Sequence, residues 1–284
     1  MNENTFSNLL AHEGTARLLC FLAPFALLAF LEVKFTRRTQ KIPKNIRWPG
    51  NLGLMLINTL VIRILFPGSA LLSARWAADH NFGLFHWVEV PFLFSIVFTL
   101  IFLDMVVYYQ HRAFHAFPWL WKMHRVHHAD LEVDVTTGIR FHALEMVISM
   151  LLKSAAIILL GAPQAGVFLF EVLLNVTSLF SHSNLGIPLG LDRFLRFTLV
   201  TPDMHRIHHS AIPKETNSNF GFNLSWWDHF LGTYRPEPEK GQDKLRIGLD
   251  IFEEPKYLRL DRLLLQPFLD GKGNFSFRNL TRKD

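Results

Sequence analysis

The sequence predicts an all-α membrane protein: about four to five transmembrane or hairpin helices, closed at one end by a cytoplasmic, histidine-rich helical cap. Three observations carry this expectation. Of 284 residues, 50% are hydrophobic and only 19% are charged, and the mean hydropathy is +0.19. Four apolar regions are long enough to traverse ~30 Å of hydrocarbon as helices. The 14 histidines gather in a few short segments instead of spreading evenly.

Residues 1–15 contain Glu3 and Glu13 but no Lys or Arg, so a cleaved signal peptide is not expected. The first apolar run, Ala16 to Phe35, ends in a basic segment of Lys34, Arg37, Arg38, Lys41, Lys44 and Arg47. A second covers Leu52 to Leu72, interrupted by Arg63 and the pair Pro67-Gly68. A third spans Trp87 to Tyr109, with Asp104 near its end. The fourth, Ala143 to Phe180, is too long for one crossing and breaks at Gly161-Ala162-Pro163, so it reads as a helical hairpin. Positive-inside bias places the Arg37–Arg47 loop in the cytoplasm, whereas the Ser73–His86 loop carries only Arg75. Alternation then puts the chain after Tyr109, and again from Ser181, on the cytoplasmic side. Short helices of the cap follow, then a charged tail whose last dozen residues are expected to fray.

Composition also excludes several classes. The single cysteine, Cys20, lies inside an apolar run, which rules out a disulfide scaffold and a thiolate-rich metal site. Lys plus Arg number 29 against 24 Asp plus Glu; the resulting +5 is weak and dispersed, so nucleic acid is not an expected partner. The 27 Phe and 7 Trp suit a chain whose solvent is partly lipid.

Three segments carry eight histidines: His111-Arg-Ala-Phe-His115, His124-Arg-Val-His127-His128 and His205-Arg-Ile-His208-His209. Helical spacings of three and four residues bring side chains onto one face. Each segment therefore presents a converging row of imidazoles, and neutral imidazole suits iron, copper, zinc and nickel. A lone buried histidine is ordinarily a hydrogen-bonded core residue. Eight rings packed together without a metal would be costly, because each can bring a proton and a charge. Eight ligands exceed the four of a tetrahedral zinc and suffice for two metals with positions left open. Asp104 lies close to the helical face of His111, and a carboxylate in an apolar helix is expensive without a role, so it is a candidate ring-orienting partner. Glu145, Asp203 and Asp228 also lie near the clusters, while Glu132 and Asp134 read as solvated surface. Thr201-Pro202-Asp203 reads as a helix start.

The pattern H-x3-H, H-x2-H-H, H-x2-H-H, set among these apolar runs, resembles the fatty acid hydroxylase / sterol desaturase superfamily of membrane di-iron oxygenases. The resemblance covers roughly Asp104 to Tyr234 and includes the segment Arg140 to Glu145 and the stretch Asn219 to Thr233. Within that stretch, Trp227-Asp228 and Gly232-Thr233 look like the family's closing motif. The resemblance implies a ninth metal ligand just after the hairpin, where His182 stands, with Asn184 the nearest candidate for a further one. His142, in the Arg-Phe-His segment, reads as a ring-orienting or headgroup-facing residue, and His229 as a hydrogen-bond partner of a ligand or a lipid phosphate. His12, His80 and His86 fall outside the cap.

What the resemblance implies is an oxidoreductase with two irons per chain that uses O2 to hydroxylate or desaturate a C–H bond of a lipid, whether sterol-like, fatty acyl or alkyl-glycerol. The di-iron centre itself is the catalytic group. Phe114, Phe117, Trp119, Trp121, Phe141 and Phe180 would line a greasy route from the bilayer. Electrons would come from an external donor (a ferredoxin, a cytochrome b5-like protein or a small reductant), since the chain holds no dinucleotide fingerprint and no haem-attachment motif. The domain division is then N-terminal membrane helices over 1–103, the histidine-rich domain over 104–234 and a cytoplasmic tail over 235–284. A compact chain with no retrieval signal suits a bacterial inner membrane better than the endoplasmic reticulum. Two other classes compete: a membrane zinc-binding or transport protein, and a catalytically silent lipid-binding relative.

Overall fold

A computed structural model describes residues 13–271; His12 and the expected frayed tail lie outside the described residues. The chain is helical throughout, and among the described residues only isolated β-bridges interrupt this. Among the described residues, five stretches are long and apolar enough to cross a membrane. They are α1 (Glu13–Lys34), the region from Lys44 to Trp87, α5 (Phe92–Ala116), α7 (Ala143–Leu160) and α8 (Gln164–His182).

The second region departs from the expected single run over Leu52 to Leu72. It folds as α2 (Lys44–Leu65), α3 (Ser69–Asp79) and a short α4 (Leu84–Trp87). Pro67 has no N–H to continue the ladder of α2, so the helix stops at Leu65. At its other end α2 starts within the basic segment, and this draws Arg47 into the bundle, where it is fully buried. The hairpin forms where Gly161-Ala162-Pro163 predicts it. Gly161 closes α7 in the left-handed region at φ +67°, and Pro163 precedes α8. Gly83, at φ +104°, nests against that turn so closely that a Cβ there would fall 2.3 Å from the Gly161 nitrogen.

Leu103 and Val107 of α5, Ile157 of α7, and Val167 and Phe170 of α8 form the centre of the bundle. Large apolar side chains on the outer faces of α1, α2 and α5, among them Leu19, Leu60 and Leu93, are exposed, as lipid-facing residues must be. Glu171, a carboxylate within apolar α8, is paired, taking Lys153 at 2.9 Å and Arg17 at 2.7 Å. All nine histidines expected as ligands lie at one end of the bundle, opposite the Gly83–Gly161 contact. The chain after α1 is stitched to that same end, with the Arg37 amide donating to the Asn184 carbonyl at 2.9 Å and the Gly186 amide to that of Phe35 at 2.7 Å. The end is closed by α6 (Pro118–His128), α9 (Leu189–Leu195), α10 (Pro202–His208), α11 (Pro213–Thr216), α12 (Trp226–Phe230) and α13 (Leu260–Leu265).

Candidate metal centre

The nine histidines divide into two adjoining groups, one of His111, His115, His124, His128 and His208, the other of His127, His182, His205 and His209. Within each group the ligand-capable atoms lie within 4.8 Å of one another, and every member is buried. His111 and His115 come from the last turns of α5, and His182 ends α8. Each H-x2-H-H segment is shared out. On α6, His124 and His128 turn to the first group and His127 to the second; at the end of α10, His208 serves the first and His205 and His209 the second. The start of α10 matches its reading from sequence, with the Thr201 hydroxyl accepting from the Met204 amide and Pro202 in the first turn.

Hydrogen bonds at the outer nitrogens decide what the inner ones offer. The His111 Nδ1 donates to the Phe220 carbonyl at 2.8 Å, and that of His124 meets the Glu145 carboxylate at 2.7 Å. A neutral ring that gives its proton to an outside acceptor keeps a lone pair on Nε2. Yet Nε2 of His111 and Nε2 of His124 are 3.1 Å apart. The second group repeats this: His127 donates to the Arg140 carbonyl at 3.2 Å and His182 to that of Ser178 at 2.7 Å, while their Nε2 atoms face each other at 3.1 Å. Opposed lone pairs repel unless a cation draws both. Nε2 of His208, whose Nδ1 donates to the Ser218 carbonyl at 2.8 Å, is buried without a hydrogen-bond partner, as are both ring nitrogens of His209. Burial lowers the pKa of His127, His128, His205 and His209 well below the usual imidazole value and that of His208 to about 3, so protonation does not relieve the contacts. Neutral, inward-facing nitrogen donors in two adjoining groups fit two cations of the kind imidazole binds.

The surroundings are dry. Phe141 stacks on His127 with ring centres 4.5 Å apart, Trp121 lies 5.0 Å from His115, and Phe220 touches the first group. Phe114 and Trp121 are buried here, whereas Phe117 and Trp119 are exposed.

The remaining candidates stand outside both groups. Asp104 accepts from the Asn223 and Leu224 amides and from the Trp227 indole at 2.8 Å. Asp228 accepts from the Phe220 and Gly221 amides and the Thr233 hydroxyl. Both thus hold the loop whose Phe220 carbonyl orients His111, and burial raises the pKa of Asp228. His142 caps α7, its Nδ1 accepting from the Leu144 amide. Asn184 spends its amide on the backbone of Arg38. His229 bonds the Arg196 carbonyl and stacks on Tyr234. His80 rests on Trp76, far from the site.

Sequence reasoning put Glu132 and Asp134 on a solvated surface, but both are buried. Asp134 and Asp130 bind Arg47 at 2.6 and 2.8 Å, and Glu132 accepts from the Lys41 amide. Asp130 also accepts from Asn51 and Thr137, and Asn51 takes Arg140, whose carbonyl orients His127. Burial alone would raise the Asp130 pKa, but Arg47 and Arg140 outweigh it and hold the carboxyl well below its ordinary range. The role of Glu145 as partner of His124 was not readable either.

A bundle of apolar helices carrying two buried imidazole groups at one end defines a histidine-rich metal-site class. Residues 96–233 match the model of the family described as Fatty acid hydroxylase, a likeness that covers just under half of this chain. Its relatives are lipid hydroxylases and monooxygenases. Ornithine lipid hydroxylase OlsE of Rhizobium tropici is 31% identical over 157 residues, which is 55% of this chain and 46% of the relative. Alkylglycerol monooxygenase of Danio rerio is 31% identical over 159 residues, 55% and 34% of the two chains. Sphingolipid C4-hydroxylase sur2 of Schizosaccharomyces pombe is 27% identical over 145 residues, 50% and 48%. The chain therefore spans half or less of the length of these curated relatives. No solved structure matches it.

Proposed function

We propose that this chain is a membrane di-iron oxidoreductase that uses O2 to hydroxylate or desaturate a C–H bond of a lipid, with His111, His115, His124, His128 and His208 holding one iron and His127, His182, His205 and His209 the other. The observation that carries the reading is the pair of opposed lone-pair contacts, one in each group. Bound irons would supply O2 reduction and hydrogen removal from an unactivated carbon, chemistry that side chains alone lack. The protein's part is to hold neutral imidazoles in place through Glu145 and the Phe220, Ser218, Arg140 and Ser178 carbonyls, and to exclude water with Phe141, Trp121 and Phe220. Electrons come from an external donor. The Lys/Arg excess of residues 34–47 favours the cytoplasmic face for the histidine end.

Lipid substrates are favoured because the relatives are named for ornithine lipid, alkylglycerol and sphingolipid chemistry. The test is metal content of protein purified anaerobically in detergent with iron supplied, beside His127→Ala and His208→Ala. Two irons per chain, falling in each variant together with product formation, supports the reading. Zinc in place of iron would shift it to a zinc-binding membrane protein, and two irons retained in either variant would remove that residue from the centre.

A further inference from the structure

The cap carries a patch built the wrong way round for contact with water. In α9 and the turn after it, Asp192 and Arg196 are buried and paired at 2.7 Å, while Leu191, Phe194 and Phe197 point outward. In and beside α12, Asp228 and Ser225 are buried, while Phe230 and Leu231 are exposed. Phe194, Phe197 and Phe230 are 70%, 73% and 75% exposed, the highest values for any aromatic side chain among the described residues. The two pieces form one unit. The Ser225 hydroxyl donates to the Arg196 carbonyl at 2.7 Å, the Trp226 indole to that of Phe197 at 3.0 Å, and the Val200 amide to that of Asn223 at 3.0 Å.

Two attachments set the height of this unit along the bundle. Asp104, the midpoint of α5 (Phe92–Ala116), accepts from Asn223, Leu224 and Trp227. It lies seven residues before His111, or about 10 Å toward the far end of the bundle at ~1.5 Å per residue. On α8, Thr177 bonds the Asn223 side chain, again on the bilayer side of His182. The unit is therefore clamped beside two membrane-crossing helices below the level of the histidines. On the same two helices Tyr109 of α5 and Leu173 of α8 are also exposed.

We infer that α9 and α12 form an in-plane wedge, seated in the acyl region of the leaflet that borders the histidine end. An element with its ion pair inside and its phenylalanines outside is stable where the surrounding medium is hydrocarbon. Arg193, exposed between Leu191 and Phe194, is placed to reach headgroup phosphates from that depth. The occupant of the patch is bilayer lipid. The inference rests on the bundle spanning the membrane and is independent of the iron chemistry.

The test is nitroxide labelling of Phe197→Cys and, separately, Phe230→Cys in a Cys20→Ser background, in vesicles of phosphatidylcholine and phosphatidylglycerol. Power saturation then compares collisions with O2, which concentrates in lipid, and with a water-soluble nickel chelate. Leu60→Cys on α2 supplies the lipid reference and Lys240→Cys on the cap the aqueous one. Both wedge labels should group with Leu60, O2 collisions exceeding nickel collisions several-fold. Nickel-dominated relaxation like that of Lys240 would overturn the wedge and place the patch in water. Protection from both reagents would overturn it in favour of a covering protein, such as a second copy of the chain. A Leu60 label that itself reads aqueous would strike at the spanning of the bundle, and none of these outcomes depends on catalysis.

Discussion

At His124 the two ring nitrogens have different tasks. Nδ1 is committed to the Glu145 carboxylate, and that bond fixes both the tautomer and the plane in which Nε2 points inward. Removing the carboxylate should free the ring to rotate. Glu145→Ala should lower iron affinity by about 10–100-fold, whereas Glu145→Gln, whose amide oxygen still accepts, should keep most of it; iron retained per chain on dialysis against a graded chelator measures both. Equal retention in Glu145→Ala and the unaltered chain would mean that this carboxylate does not position the ring. His142 is a contrast. Its Nδ1 serves the start of α7, so His142→Ala should leave iron content unchanged and lower stability by on the order of 1 kcal/mol, as loss of a helix cap does. The nine histidines were legible because three- and four-residue spacings print directly onto a helix face, with His182 supplied by family resemblance. Glu145 was not, because the pairing of a ring and a carboxylate 21 positions apart follows no period in the sequence.

Among the elements, α2 gains most from being seen folded. The basic stretch before it reads as a topogenic loop, yet Arg47 leaves that loop to enter the bundle and bind Asp130 and Asp134. Its partners lie more than 80 residues away, and nothing in the local sequence separates Arg47 from the other basic residues beside it. Through Asn51 and Arg140 the same network reaches the carbonyl that orients His127. Breaking a buried pair leaves an uncompensated charge, so Asp130→Ala should cost about 3–5 kcal/mol, read as a lowered unfolding midpoint in detergent. Arg47→Ala should do the same, and a loss below 1 kcal/mol in both would mean that water reaches the network. The hairpin, by contrast, could be placed from Gly161 and Pro163 alone, since a left-handed residue followed by proline halts one helix and starts the next.

For the whole molecule, the histidine end behaves as a pH-dependent load. The buried imidazoles of His127, His128, His205 and His209 have folded-state pKa values below the ordinary 6.5, and that of His208 falls to about 3. Between those values the unfolded chain binds more protons than the folded one, so stability falls as pH falls below about 6.5. Metal-free protein should therefore lose melting temperature from pH 7.5 to pH 5, and scanning calorimetry in detergent checks this. A flat profile over that range would show that the rings titrate as they would in water. Chelation at neutral pH should also lower the melting temperature, because it restores the opposed lone pairs that a cation reconciles. The overall architecture was largely legible, as hydropathy marks the apolar helices. The attachment of α9 and α12 to the flank of the bundle was not, because short helices carry too little periodicity to show which face is buried.

Because His127 lies between His124 and His128 on one short helix, and His208 between His205 and His209 at the end of another, α6 and α10 each serve both pockets. Ordering α6 or α10 around one occupant orders the ligands of its neighbour. Filling should then be cooperative. An iron titration followed by calorimetry should give a sigmoid isotherm with few singly loaded chains, and His205→Ala, though it touches one pocket, should empty both.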